Sequence, residues 1–171
     1  ILSELNSLIQ SVDSYYEDYE PTKAGRAIAD FVDAHLSNWY VRLSRRRFWK
    51  GEYSTDKISA YQTLYTCLEA ISILSAPIAP FFSDRLFTDL NGITGKRTAK
   101  SVHLADFVKA SPGLIDKGLE ERMQLAQRIS SMVLSLRKQH RIRVRQPLSR
   151  IMVPVSNPTQ QQQIDAVKNL I

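Results

Sequence analysis

Residues 21–50 read PTKAGRAIADFVDAHLSNWYVRLSRRRFWK, and the spacing within that stretch decides the fold class. Apolar Ala24, Ile28, Phe31, Val32, Leu36, Trp39 and Leu43 recur every three to four positions, the period that gathers side chains on one side of an α-helix. Pro21 suits a first helical turn, and acidic Glu17, Asp18 and Glu20 just before it favour the positive end of a helix dipole. The spacing predicts a helix over 21–47, ended by Gly51.

The same period extends outward in both directions. Ile1, Leu2, Leu5, Leu8, Ile9 and Val12 mark an earlier helix. Downstream, Ser54 or Thr55 caps a third helix carrying Ile58, Tyr61, Leu64, Tyr65, Leu68, Ile71, Leu74 and Ile78, until Pro77 and Pro80 bend or end it. A short amphipathic turn through Phe81, Phe82, Leu86 and Phe87 follows, then an exposed loop over 91–100. A fourth long helix over 116–140 presents Leu119, Met123, Ala126, Ile129, Val133 and Leu136. These elements predict an all-α antiparallel helical bundle over 1–146. Beyond it, Ile151 to Val155 is a short β-branched run, and Asn157, Pro158 and Gln160 form a helix-opening pattern. Residues 147–171 are therefore expected to begin a small α/β subdomain with one strand and one helix.

Charge is segregated along this framework. The net +6 arises from 23 Lys and Arg against 17 Asp and Glu, but residues 1–40 are net −5, residues 41–50 net +5 and residues 121–150 net +7. Two short segments hold 13 of the 23 cations, most of them Arg, whose planar fork suits phosphate. A polyanion is the expected partner, although charge runs also serve as plain solvated faces.

Other chemistries lack their residues. The six glycines are scattered, so no Gly-rich phosphate loop exists. His35, His103 and His140 stand far apart and Cys67 is the single cysteine, so no metal site is expected, and Cys67 reads as a small core residue in a reducing compartment. The longest uncharged stretch, Ala70 to Ser83, is 14 residues and contains two prolines, too short to span a bilayer. No secretory leader pattern opens the chain, and Ile1 in place of Met suggests a piece of a longer protein. No catalytic residue is assigned.

On a helix, Asn38, Arg42, Arg45 and Trp49 follow spacings of four, three and four and line one flank beside the buried stripe. Guanidiniums for phosphate, an amide for a base edge and an indole for stacking are the mixture that single-stranded RNA requires. Arg46 and Arg47 join the row if the helix end projects beyond the core. Arg137, Lys138, Arg141, Arg143 and Arg145 form a secondary basic patch.

The run from Leu36 to Trp49 closely resembles the anticodon-binding domain of class I isoleucyl-tRNA synthetases. The likeness continues through Ala76-Pro77-Ile78-Ala79-Pro80-Phe81, Ser101-Val102-His103-Leu104 and Arg143-Val144-Arg145-Gln146-Pro147-Leu148, nearly the whole chain. The Ala-Pro-x-x-Pro-Phe element is shared with valyl and leucyl relatives. The resemblance implies a helical bundle that receives the anticodon stem and loop of tRNA(Ile), within a cytoplasmic, monomeric parent serving protein biosynthesis. That parent uses ATP with magnesium to attach isoleucine to tRNA, and some parents carry zinc. The His-x-Gly-His and Lys-Met-Ser-Lys-Ser elements that bind ATP in the family occur nowhere in this chain, so no cofactor is expected in it. The alternatives are the equivalent valyl or leucyl domain, or a helical protein-interaction module with a basic docking face.

Overall fold

The computed structural model of the chain describes residues 1–170, and all regular structure among them is helical. Two compact units divide it, Ile1–Ile115 and Asp116–Ile171. The units part upstream of residue 146, because the long helix α6 (Lys117–Gln139) packs with α7 (Pro158–Val167).

In the first unit α1 (Leu2–Glu17) buries Leu5, Leu8, Ile9 and Val12 and folds back onto α2 (Pro21–Asp30). Their link closes as a Schellman motif. Tyr19, at φ 57, donates its N–H to Tyr16 O at 3.1 Å, and Glu20 donates to Tyr15 O at 2.8 Å. From α2 the chain continues into a π-helical segment, Phe31–Val41, where Arg42 N–H reaches the carbonyl of Ser37, five residues back. Side chains five apart consequently meet: Asn38 Nδ2 donates to Asp33 Oδ1 at 2.8 Å.

This widened turn corrects the predicted stripe. The inward series is Ala24, Ile28, Phe31, Leu36, Tyr40, Ser44 and Phe48, with a step of five where the π segment begins. The extra residue displaces the register, so Leu43 is 53% exposed and Trp39 is only half-buried, its Nε1 buried without a hydrogen-bond partner. A turn at Ser44 leads into the short α3 (Arg45–Trp49).

Helix α4 (Thr55–Ser75) opens on Ser54, whose Oγ accepts from Lys57 N–H at 3.2 Å. Its buried side carries Lys57, Ala60, Cys67, Ala70, Ile71 and Leu74, so the predicted inward Ile58 and Tyr61 face outward to a large extent. Burial pushes the Cys67 thiol up to about 11. The segment expected as a short turn is a full helix, α5 (Pro80–Thr94), that extends into the predicted loop and ends at left-handed Gly95. Phe87 alone of its three phenylalanines is buried.

The rest of that loop is pinned to α4. Glu69, 7% exposed at its side chain, accepts from Arg97 Nε at 3.0 Å and Lys96 Nζ at 2.8 Å, and Asn91 brackets Arg97 through its N–H and carbonyl. Burial raises the Glu69 pKa, but the bonds from Arg97 and Lys96 outweigh it and leave the carboxyl below its usual range. The returning chain is fastened by Asp84, which accepts from Ser101 Oγ and Val102 N–H, and by Asn6 Oδ1, which accepts from Ser111 N–H.

In the second unit Asp116 caps α6, accepting from Leu119 N–H at 2.9 Å. Ala126 and Ile129 of the predicted face are buried, whereas Leu119 and Leu136 are exposed. Residues 151–155 form no strand. The opening pattern at Asn157 holds: its Oδ1 accepts from Gln160 N–H, and Gln160 Oε1 accepts from Ser156 N–H, both at 2.8 Å.

Candidate nucleic-acid interface

Three contacts hold α3 against the start of α4. Phe48 packs between Tyr40 and Tyr61, with ring centroids 6.3 and 5.2 Å away. Tyr61 Oη donates to Phe48 O at 3.0 Å, meeting a carbonyl that a helix end would leave open. Arg47 grips Asp56 with three bonds, Nε to Oδ2 at 2.8 Å, Nη2 to Oδ1 at 2.7 Å and Nη2 to the backbone carbonyl at 3.1 Å. That hydrogen bonding raises the Arg47 pKa and lowers that of Asp56.

With Phe48 inward and Arg47 turned to Asp56, the opposite side of α3 faces solvent. Arg42, Leu43, Arg45, Arg46, Trp49 and Lys50 line one open depression of about 650 Å³. Its apolar lining residues are Leu43 and Trp49, the latter 80% exposed. Arg42, Arg45, Arg46 and Lys50 are all exposed, and the described residues show no ion pair to any of them. Four cations without ion-pair partners in the same depression as an exposed indole can hold phosphate oxygens while a planar base stacks on that indole.

Of the predicted row, Arg42, Arg45, Arg46 and Trp49 come together here. Asn38 is exposed but paired with Asp33 and outside the depression, and Arg47 is an internal clamp. Sequence spacing missed Leu43, assigned to the core because the π segment's extra residue cannot be read from a 3.6-residue period. Lys50 was counted in the charge run but not placed in the site. His35, 3.9 Å from Glu4 and stacked on Phe31, is a packing residue.

The secondary patch lies in the other unit. Arg141 stands at φ 56 in a second Schellman motif, its N–H bonded to Lys138 O at 3.2 Å and Ile142 N–H to Arg137 O at 2.8 Å. Arg137 is half-buried and donates to the carbonyls of Arg143 at 2.9 Å and Gln146 at 3.0 Å, folding the following turn onto the helix end. Lys138, Arg141, Arg143 and Arg145 remain exposed. Among the described residues no cluster of His, Cys, Asp and Glu is arranged to hold a metal, and no helix is long and apolar enough to cross a membrane.

Comparison with known proteins finds relatives along the whole chain. A protein of Cytophaga hutchinsonii named isoleucine–tRNA ligase is 62% identical over 171 residues, all of this chain and 15% of the relative. One of the same name from Bacteroides thetaiotaomicron is 60% identical with the same coverage, and one from Thermobifida fusca is 45% identical over 153 residues, 90% of this chain and 14% of the relative. The chain thus spans about 15% of the length of the relatives it matches. Residues 1–152 match the profile of the family described as the anticodon-binding domain of tRNA ligase, and the chain belongs to that family.

Proposed function

We propose that this chain is the anticodon-binding portion of an isoleucine–tRNA ligase and grips the anticodon arm of tRNA(Ile) through Arg42, Arg45, Arg46 and Trp49. The observation that carries the reading is the depression at α3, where unpaired cations ring an exposed indole in a chain of this family. Asn38, upstream of the depression, joins the grip only by releasing or sharing its bond to Asp33, and Arg47 holds α3 in place. Lys138, Arg141, Arg143 and Arg145, braced by Arg137, supply a second phosphate-binding patch. The names of the relatives favour isoleucine over valine or leucine as the parent's substrate. The parent, a cytoplasmic monomer, joins isoleucine to tRNA(Ile) with ATP and magnesium, and its ATP-binding elements lie outside these residues. The family match over residues 1–152 takes in the first unit and α6, and this supports counting the helices up to about residue 146 as the family's bundle although the compact units divide at 115/116.

Binding is predominantly electrostatic. Each cation that displaces a counterion from a single strand contributes about −0.7 to the log-log salt slope, so the four free cations of this row alone contribute roughly −3. Arg42→Ala with Arg45→Ala is expected to lower tRNA affinity and reduce the slope by about 1.4, with unchanged helical content because both side chains are exposed. Titration of tRNA at two salt concentrations checks this; equal affinity and slope in the double variant would remove the row from the interface.

A further inference from the structure

The link 50–54 between α3 and α4 is exposed throughout yet is fastened at several points. Gly51, at φ 82, reverses the chain, and Ser54 N–H bonds Glu52 O at 2.9 Å. Lys57, one turn into α4, is only 9% exposed, an uncommon degree of burial for a lysine. Its Nζ turns back onto the link, donating to Gly51 O at 3.3 Å and standing 5.0 Å from the centroid of the Tyr53 ring. A cation at that distance is attracted to the ring face. Tyr53 is nonetheless 82% exposed, so Lys57 biases the ring from one side while most of its surface stays open.

An unrestrained loop tyrosine would lose side-chain and backbone freedom on taking up a ligand, whereas an oriented ring has already lost much of it. Trp49 stands four residues earlier, a separation the chain can stretch to about 14 Å at most. Two flat, exposed side chains thus lie within reach of nearby bases of one strand, Trp49 lining the depression with the free cations and Tyr53 on the link just after it. We infer that Tyr53 is a second stacking platform for an unpaired base of the bound RNA, with Lys57 as its positioning residue. The inference rests on reading the depression at α3 as an RNA surface, and adds a residue to it that the charge pattern does not mark.

The test compares the 171-residue chain with its Tyr53→Ala, Tyr53→Phe and Lys57→Met variants, each titrated with unfractionated tRNA and with a fully paired RNA duplex. Stacking by one aromatic ring predicts that Tyr53→Ala loses about 5- to 150-fold in affinity for tRNA. The same variant should bind the duplex, which offers no unpaired base, as the parent chain does, and should melt at the same temperature. Tyr53→Phe should stay within about twofold of the parent chain and Lys57→Met should fall between them. Unchanged tRNA affinity in Tyr53→Ala, or an equal loss on the duplex, overturns the platform. Failure of the unaltered chain to bind tRNA at low salt overturns the basic-row reading and Tyr53 with it, so the two failures are distinct. Should Lys57→Met not fold, the Ala and Phe variants at Tyr53 still decide the question.

Discussion

Tyr19 and Arg141 occupy the left-handed position that closes a Schellman motif, where glycine is the usual residue. A side chain there crowds the following carbonyl by about 1–2 kcal/mol, and only part of that is offset by the lower entropy of a non-glycine unfolded chain. Tyr19 is 93% exposed, so no packing recovers the difference. Tyr19→Gly is therefore expected to stabilise the first unit by about 0.5–1 kcal/mol, measurable by urea denaturation. Neither strained residue could be read from sequence, because a Schellman motif is recognised there by its glycine. By contrast, Ser54, offered beside Thr55, and Asn157 are legible as caps, since their short oxygen-bearing side chains precede helical periods and bond the N–H three residues on. Asp116 caps α6 in the same way, although the sequence pattern marks only a helix start there.

At the level of elements, periodicity located α1, α2, α4 and α6 because each buries a stripe long enough to repeat. It failed at two places for separate physical reasons. Phe81 and Phe82 suggested a short, core-seeking turn, yet they lie exposed at the start of a long helix whose inward anchors are Ser83 and Phe87. In the π segment, a five-residue step between Phe31 and Leu36 moved the inward row off the predicted one, releasing Leu43 to the surface. The basic row survived the shift because Arg42, Arg45, Arg46 and Trp49 all lie beyond it and turn together. Removal of one exposed residue of this segment, Ala34, brings Phe31 and Leu36 to ordinary α spacing. That deletion should leave a cooperative melt at or above the parent temperature, followed by circular dichroism. Deleting exposed Thr66 from α4 instead puts Cys67 and Ala70 out of phase with Ala60, and should abolish the cooperative transition.

On the scale of the whole molecule, the first unit is electrically lopsided along one path. Acidic Glu17, Asp18 and Glu20 stand at the entry to α2, and the arginines stand beyond the π segment that continues it, some 22 residues or about 30 Å along the helical path. That exceeds the Debye length of about 8 Å at physiological salt, so the acidic turn does little to weaken attraction at the basic end. Stability should carry an acid limb set by the lowered carboxyls of Glu69 and Asp84. A carboxyl whose folded pKa lies below its unfolded value, about 4.3 for Glu, contributes fully above that value and loses its contribution as pH falls through the folded one. Glu69→Gln is expected to cost about 1–3 kcal/mol near neutral pH, less than a wholly buried pair because Lys96 and Arg97 can turn to water, and to flatten the limb below pH of about 4. Urea titrations of both proteins across that range check it. The widened turn of the second helix has one more consequence, for descent. A lineage can drop a single codon there and keep both its hydrophobic seam and the bearing of its arginines. Straightening the same turn at constant length would swing everything after it by about 100°. Gaps among sister sequences should therefore collect at this spot and be functionally silent.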